Sequence, residues 1–351
     1  MTAPVSRTSA AAPAAKPLAL RRPYLLFLAD VDVAPHAKTA FGLRDWAPES
    51  CIGQNRLPGC QVDLGLAELT PAAAAQAGAG SLVIGVAAAG GRVQPAWVPR
   101  LLEAVEAGLD IVSGMHTRLA DVPGLADAAQ RRGVKLVDVR HAPAGLPTGT
   151  GIKRSGKRLL TVGTDCALGK KYTALALARA LKARGVDADF RATGQTGILI
   201  AGSGLPIDSV VSDFIAGAAE TLSPDADAAH WDIVEGQGSL FQPAYAGVTL
   251  GLVHGSQPDA LVLCHEPGRE TVLGLPHYKL PALDVAAARY LEAARLTNPA
   301  VQLVGVSLNT AALDDTQRAR AIADAERQLG VPAFDPLKTS LTAVIDRMLA
   351  A

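Results

Sequence analysis

The sequence predicts an α/β protein made of two tandem domains, each built on a parallel sheet. Two observations carry this prediction. Short apolar runs alternate with helical patterns along the chain, which favours parallel strands joined by crossover helices. The alternation breaks once, over residues 141–157, where two prolines and four glycines mark a connection between domains. The 351 residues are enough for two ordinary domains.

The first domain is predicted over residues 21–145, after a disordered extension of residues 1–20 rich in Ala and Pro. Its strands share short apolar runs: Tyr24–Leu28, Ser81–Val86, Asp110–Ser113 and Lys135–Val139. Its helices show a helical apolar spacing: Pro71–Ala77, Trp97–Ala107 and Leu125–Arg132. The pattern predicts a Rossmann-like sheet, although the glycines at residues 88–91 form too short a segment for a dinucleotide fingerprint.

The second domain is predicted over residues 158–351, after a linker of residues 146–157. Its predicted strands are again short and apolar: Arg158–Val162, Asp187–Arg191, Trp231–Val234, Ala260–Cys264 and Gln302–Leu308. Its predicted helices lie between and after them: Tyr172–Arg184, Val210–Thr221, Pro281–Leu296, Asp315–Gln328 and Ser340–Ala351. This domain is expected to be a P-loop NTPase-like parallel sheet, because its first strand runs directly into a glycine loop.

The composition favours small-molecule chemistry. Lys plus Arg and Asp plus Glu each total 33, so no basic excess points to nucleic acid or an anionic membrane. No apolar run is long enough to span a bilayer, and four scattered cysteines indicate reduced thiols in the cytoplasm. The seven histidines lack metal-ligand spacing, so no metal is expected. A homo-oligomer is an expectation for so apolar a chain.

A phosphate-binding loop is predicted between the first strand and first helix of the second domain. The segment from Gly163 to Lys170 reads GxxxxxGK, one residue longer than the standard loop. Its backbone N–H groups, the helix N-terminus and a lysine converge to hold a phosphate. The alternative is a tight turn with a surface lysine. The predicted ligand-binding residues are Gly163, Thr164, Asp165, Cys166, Ala167, Leu168, Gly169, Lys170, Lys171, Tyr172 and Thr173.

Two residues of this loop affect its chemistry. Lys171 stands where nucleotide hydrolases place a Ser or Thr that ligates Mg²⁺, and an ammonium repels a cation. The loop therefore favours a ligand whose phosphates serve as a handle, such as coenzyme A. Cys166 lies near a helix N-terminus, which can lower a thiol pKa and favour a nucleophile; the alternative is a small residue that fits the loop.

Further candidates follow other strands. Glu235, in the segment Val234–Ser239, is read as a metal-water ligand, a general base or a carboxylate that holds the loop. Open parallel sheets bind ligands at the carboxyl ends of their strands, so substrate-binding candidates are taken from such positions. They are Arg191, Thr193, Gln195 and Gln237, with Lys38 and Arg44 of the first domain as cations for a carboxylate. For Arg191, Thr193 and Gln195 the alternative is a glycine-containing turn; for Lys38 and Arg44 it is a solvated loop.

Four motifs follow one another along the chain: Ala37–Ala40 with Asp45-Trp46 and Pro48-Glu49, Gly163–Lys170, Ala192–Gly197 and Val234–Ser239. In this order they resemble the D-glutamate N-acetyltransferase family. Members of that family join a Rossmann-like N-terminal domain to a P-loop C-terminal domain, and the resemblance covers nearly the whole chain after residue 22. The long loop and the Val-Glu-Gly-Gln-Gly segment also resemble dethiobiotin synthetase, which has Thr where this chain has Lys171.

The resemblance implies acetyl transfer from acetyl-CoA to the amine of D-glutamate, in D-amino acid catabolism. A base must deprotonate the substrate ammonium, and Asp165, Glu235, Asp208 and Asp213 are the candidates. The two substrate carboxylates require cations, for which Arg191, Lys38, Arg44 and Lys171 are available. The alternatives are an ATP-dependent ligase of the dethiobiotin synthetase type and a non-enzymatic nucleotide-binding protein.

Overall fold

The computed structural model describes residues 16–86 and 91–351. Two parallel sheets lie in tandem, which confirms the predicted fold class. Part of the first domain's glycine segment, residues 88–90, and most of the predicted N-terminal extension, residues 1–15, lie outside the described residues. Leu18–Ala19 (β1) pair with Ser203–Gly204 (β9) of the second domain. This pairing satisfies backbone hydrogen bonds at the end of the N-terminal extension, which is therefore ordered there.

The first sheet has five parallel strands in the order β3-β2-β4-β5-β6. These strands are Tyr24–Ala29 (β2), Cys51–Arg56 (β3), Ser81–Ile84 (β4), Asp110–Ser113 (β5) and Leu136–Asp138 (β6). The helices are Lys38–Trp46 (α1), Pro71–Gln76 (α2), Val98–Glu106 (α3) and Leu125–Arg132 (α4). Strand β3 was missed because its sequence, Cys-Ile-Gly-Gln-Asn-Arg, has few apolar residues. Its central side chains are nevertheless buried against the following loop.

Helix α1 corrects the solvated-loop interpretation of this segment. Thr39, Ala40, Gly42 and Leu43 form its buried face, and Lys38 and Arg44 lie outside that face. The apolar stripe of α1 is narrow and made of small residues, so the sequence shows only a weak helical pattern here.

The second sheet has six parallel strands in the order β15-β14-β11-β7-β10-β8. These strands are Lys157–Gly163 (β7), Ala188–Arg191 (β8), Trp231–Val234 (β10), Ala260–His265 (β11), Gln302–Leu308 (β14) and Ala333–Phe334 (β15). The helices are Lys170–Ala183 (α5), Gln195–Ala201 (α6), Ile215–Leu222 (α7), Ala246–Ser256 (α8), Leu283–Arg295 (α9), Asp315–Leu329 (α10) and Thr342–Leu349 (α11). A small hairpin joins Thr271–Val272 (β12) to Leu275–Lys279 (β13).

The two domains share a continuous apolar core. Leu175, Ala192, Ile198, Leu199 and Ile200 of the second domain belong to the same buried cluster as the core of the first. Such an interface fixes one domain against the other, so residues of both can form one site. The domain boundaries assigned from the sequence stay predictions. No helix in the described part of the chain is long and apolar enough to cross a membrane; the cytoplasmic location and the homo-oligomer stay predictions.

Candidate active site

The predicted phosphate loop connects β7 to α5 and leaves the helix N-terminus open. Gly169, the N-cap residue, has φ of 98°, a left-handed conformation that favours glycine, and no side chain caps the first turn. The first N–H groups of α5 therefore lack intrahelical partners and can bind an anion. The Lys170 side chain is buried and its Nζ donates to the carbonyl oxygen of Asp165 at 2.8 Å. Burial lowers its pKa.

Asp165 faces away from the loop's open side and anchors the loop from behind. Its Oδ2 accepts hydrogen bonds from Arg269 Nη1 at 3.1 Å and from Leu273 N at 2.7 Å. Arg269 Nη1 also donates to the carbonyl oxygen of Cys166 at 2.9 Å. The segment after β11 thus packs on the loop, with His265 Nδ1 3.0 Å from Thr164 Oγ1. Asp165 is fully buried in this arrangement.

Other loop residues face the sheet. The Gly163 carbonyl oxygen accepts from Ser239 Oγ at 2.9 Å and from Tyr290 Oη at 2.7 Å. Thr173 Oγ1 lies 2.7 Å from Ser307 Oγ and donates to the Gly169 carbonyl oxygen at 3.1 Å. These contacts hold the strand and the helix at the correct spacing for the loop.

Glu235 follows β10 and is only 4% exposed. Its Oε2 accepts hydrogen bonds from Thr193 N at 3.0 Å and Gly194 N at 3.1 Å. Burial raises the pKa of its carboxyl to about 7, opposed by the nearby Lys171 ammonium and by the two backbone donors. A carboxylate that titrates near neutrality is suited to accept a proton at physiological pH.

A cavity of about 610 Å³ joins the loop to Glu235. Its lining includes loop residues, the α6 N-terminus, the segment after β10 and one residue of the first domain. They are Arg140, Cys166, Ala167, Leu168, Gly169, Lys170, Lys171, Tyr172, Gly194, Gln195, Thr196, Asp208, Glu235, Gly236, Gln237, Gly238, Tyr245 and Val248. The cavity volume is in the range of ordinary ligand sites.

The structure brings many of the sequence-predicted site residues together here. Residues 166–172, Gln195, Glu235 and Gln237 line the cavity, as does Asp208, one of the four candidate bases. Thr193 supports it from behind, since its Oγ1 donates to the Glu235 carbonyl oxygen at 2.6 Å. Burial raises the pKa of the Cys166 thiol, which does not favour the nucleophile interpretation of this residue.

Nine predicted residues are not part of the cavity lining. Five of them support the loop or Glu235 through the contacts described above: Gly163, Thr164, Asp165, Thr173 and Thr193. The other four make different contacts or are exposed. Arg191 Nε donates to Asp232 Oδ1 at 2.5 Å. Asp232 on β10 lies opposite Asp189 on β8, two residues before Arg191, so the side chains of Arg191 and Asp232 lie on the same face of the sheet. Arg44 donates to Asp45 and to the Leu64 carbonyl oxygen. Lys38 and Asp213 are exposed.

Arg140 is the residue that sequence reasoning missed. It follows β6 in the first domain, next to the stretch assigned to a linker. The Gln195 side-chain amide lies 3.0 Å from Arg140 Nη1 and 2.6 Å from the Gly114 carbonyl oxygen. Both contacts are satisfied when the amide oxygen faces Arg140 and the amide nitrogen faces Gly114, which assigns the amide orientation. Arg140 and Gln195 belong to different domains, so no local sequence pattern predicts their contact.

An aromatic contact also joins the domains beside the loop. The rings of Trp46 and Tyr172 stack at a centroid distance of 5.6 Å, and Arg179 Nη2 donates to the Trp46 carbonyl oxygen at 3.1 Å. Lys171 Nζ lies 4.5 Å from the centroid of the Tyr172 ring. Burial lowers the Lys171 pKa. Within residues 16–86 and 91–351, no group of three or more His, Cys, Asp or Glu side chains is arranged to hold a metal ion; the absence of a metal stays a prediction.

Comparison with known proteins gives matches along nearly the whole chain. Residues 147–345 match DUF1611_C, described as a P-loop domain of unknown function, and residues 55–142 match its Rossmann-like counterpart, DUF1611_N. A protein of Tritonibacter scottomollicae named D-glutamate N-acetyltransferase is 48% identical over 331 residues, or 94% of this chain and 99% of that protein. A Pseudoalteromonas protein of the same name is 47% identical over 326 residues, or 93% of this chain and 98% of that protein.

A solved structure is also similar. The crystal structure of a DUF1611 family protein from Anabaena variabilis is 32% identical, with a TM-score of 0.80. The similarity covers 94% of this chain and 100% of that one.

Proposed function

The chain belongs to the DUF1611 family, and we propose that it is an N-acetyltransferase that moves an acetyl group from acetyl-CoA to the amino group of D-glutamate. One observation carries this proposal: the open N-terminus of α5 and the carboxylate of Glu235 face the same cavity. The helix N-terminus is suited to bind a ligand's phosphates, and the carboxylate is suited to accept a proton from an amine. The names of the two curated relatives agree with that pairing.

The loop residues fit the phosphates of coenzyme A. The uncapped N–H groups of α5, with Lys170, supply donors and positive charge at one end of the cavity. Lys170 Nζ donates to the carbonyl oxygen of Asp165, which keeps its ammonium within the loop. When bound, acetyl-CoA supplies the acetyl group as a thioester.

Glu235 is the proposed base. An amine attacks a thioester only as the neutral form, so the ammonium of the substrate must first lose a proton. Glu235 accepts that proton at a carboxylate fixed by two backbone donors. A C–N bond then forms and a C–S bond breaks. The second nitrogen proton goes to the leaving thiolate, and Glu235 releases the first proton to solvent.

One assay tests this function. Purified protein is incubated with acetyl-CoA and D-glutamate in EDTA, and thiol release is followed. We expect release that depends on D-glutamate and persists in EDTA. A parallel reaction with L-glutamate reports on chirality.

The rival activities give different results in the same assay. Absence of thiol release together with ATP hydrolysis when Mg²⁺ is restored would indicate the ligase. Ligand binding without turnover of either ligand would indicate a binding protein.

A further inference from the structure

Five charged side chains line the cavity: Arg140, Lys170, Lys171, Asp208 and Glu235. Lys170 belongs to the loop and bonds to its backbone. The other four are two cations and two carboxylates. A dicarboxylic amino acid carries one ammonium and two carboxylates, so this set complements its charges.

The two cations differ in origin. Lys171 is the second residue of α5, whereas Arg140 comes from the first domain. Neither has a carboxylate oxygen of the described residues within 4.0 Å, although each lies in a cavity that contains two acidic groups. A cation held in this way, at the wall of a partly enclosed cavity, is available for an anionic ligand.

Arg140 is held in place by neutral groups. Its Nη1 donates to the Gln195 amide oxygen at 3.0 Å, and Gln195 donates in turn to the Gly114 carbonyl oxygen at 2.6 Å. A side-chain carbon at Gly114 would collide with the Gln195 amide. The guanidinium is therefore oriented. Its remaining N–H groups donate to no other residue of the described part of the chain, so they can make a bidentate contact with a ligand.

The two cations reach the cavity from different elements. Lys171 belongs to α5, beside the phosphate loop that holds the acyl donor in the proposed function. Arg140 comes from the first domain and contacts Gln195, the neighbour of the Gly194 whose N–H donates to Glu235. In an α-amino acid the α-carboxylate adjoins the ammonium and the side-chain carboxylate lies farther away.

Resting on the proposed function, we infer that Arg140 binds the side-chain carboxylate of the acceptor amino acid and that Lys171 binds its α-carboxylate. Arg140 is then the residue that selects a dicarboxylic acceptor over one with a neutral side chain. Gln195 acts through Arg140 as a positioning residue.

The test compares D-glutamate with D-glutamine, in which an uncharged amide replaces the side-chain carboxylate. For Arg140→Gln we expect kcat/KM for D-glutamate to fall about 30- to 100-fold, mostly through KM, because a charge-assisted contact is lost. The value for D-glutamine should change by less than about 3-fold. Arg131→Gln, at an exposed arginine on α4 of the same domain, is the matched control and should leave both values unchanged.

Three further results complete the design. Arg140→Lys keeps the charge and loses the planar fork, so it should retain part of the preference for D-glutamate; it also replaces Arg140→Gln if the latter fails to fold. An unchanged ratio of the two substrates in both Arg140 variants, with the wild type active, overturns this inference and leaves the proposed function standing. A wild type that releases thiol with neither amino acid overturns the proposed function itself.

Discussion

Gly197 lies against the carboxylate of Glu235, and a side-chain carbon at residue 197 would overlap Glu235 Oε2. Gly194, three residues earlier, donates its N–H to the same oxygen. A side-chain carbon at Gly194 would overlap Gln237 Nε2, so both positions require glycine for the backbone to pack beside Glu235.

Substitution of Gly197 should misplace the base. For Gly197→Ala we expect kcat to fall about 10- to 100-fold, because the displaced carboxylate no longer meets the amine in a productive geometry. Gly247→Ala is the control, since its new methyl group meets open space on α8 and should stabilise that helix by about 0.5–1 kcal/mol. Steady-state kinetics with both variants measures the effect, and equal kcat values would contradict the assigned contact.

Removal of the Glu235 charge should abolish most of the proton transfer. The amide oxygen of Glu235→Gln can still accept from Thr193 N and Gly194 N, so the local fold is kept. We expect kcat to fall about 10²- to 10⁴-fold with the affinity for acetyl-CoA unchanged. Calorimetric titration and kinetics separate the two quantities. A variant with full kcat would exclude Glu235 as the base.

The pH dependence follows from the raised pKa of Glu235. The base must be ionised to act, so kcat/KM should rise with pH up to about 7 and then level off. Burial raises this pKa most, the charge of Lys171 and the N–H groups of Thr193 and Gly194 lower it, and the charge of Asp208 raises it further. In the Glu235→Gln variant the step near pH 7 should disappear; its persistence would assign the titration to another group.

The same shift has a consequence for stability. The folded-state pKa of about 7 lies above the ordinary value of 4.5, so the folded protein holds this proton more tightly than the unfolded chain. Stability from this group is complete below about pH 4.5 and is lost as pH rises through 7. Glu235→Gln should therefore raise Tm more at pH 8 than at pH 5, as measured by calorimetry. An equal change at both values would contradict the shift.

Asp165 should contribute to stability more than to chemistry. Asp165→Asn keeps an acceptor for Leu273 N and loses the ion pair with Arg269. We expect a loss of about 2–4 kcal/mol in the free energy of unfolding, because a buried ion pair is broken. Chemical denaturation measures this loss, and kcat at a temperature where the variant is folded should stay within about 5-fold. A loss of kcat as large as that of Glu235→Gln would make Asp165 the base.

Lys170 should contribute to coenzyme binding. Lys170→Ala removes the buried ammonium of the loop, so the Kd for acetyl-CoA should rise about 10- to 100-fold. Lys182→Ala on the exposed side of the same helix is the control. Isothermal titration compares the two, and an unchanged Kd for Lys170→Ala would remove the loop from the coenzyme site.

The sequence predicts those parts of the site that local pattern encodes. A strand, a glycine loop and a helix follow one another directly at Gly163–Lys170, and Glu235 comes at the end of a buried strand. Arg191 shows the limit of this reasoning. It too ends a strand, but its side chain pairs with Asp232 on the neighbouring strand, a contact set by register between distant segments. Arg140 was missed for the same reason, since only tertiary packing brings it to Gln195.

In the proposed function the loop of the second domain binds the donor, and Arg140 of the first domain supplies a cation to the same cavity. Changes in the N-terminal half can therefore alter which acceptor is chosen while the coenzyme half stays as it is. We therefore expect relatives to differ in the acceptor amino acid that they prefer through changes in the Rossmann-like domain, while the reaction with the thioester stays the same.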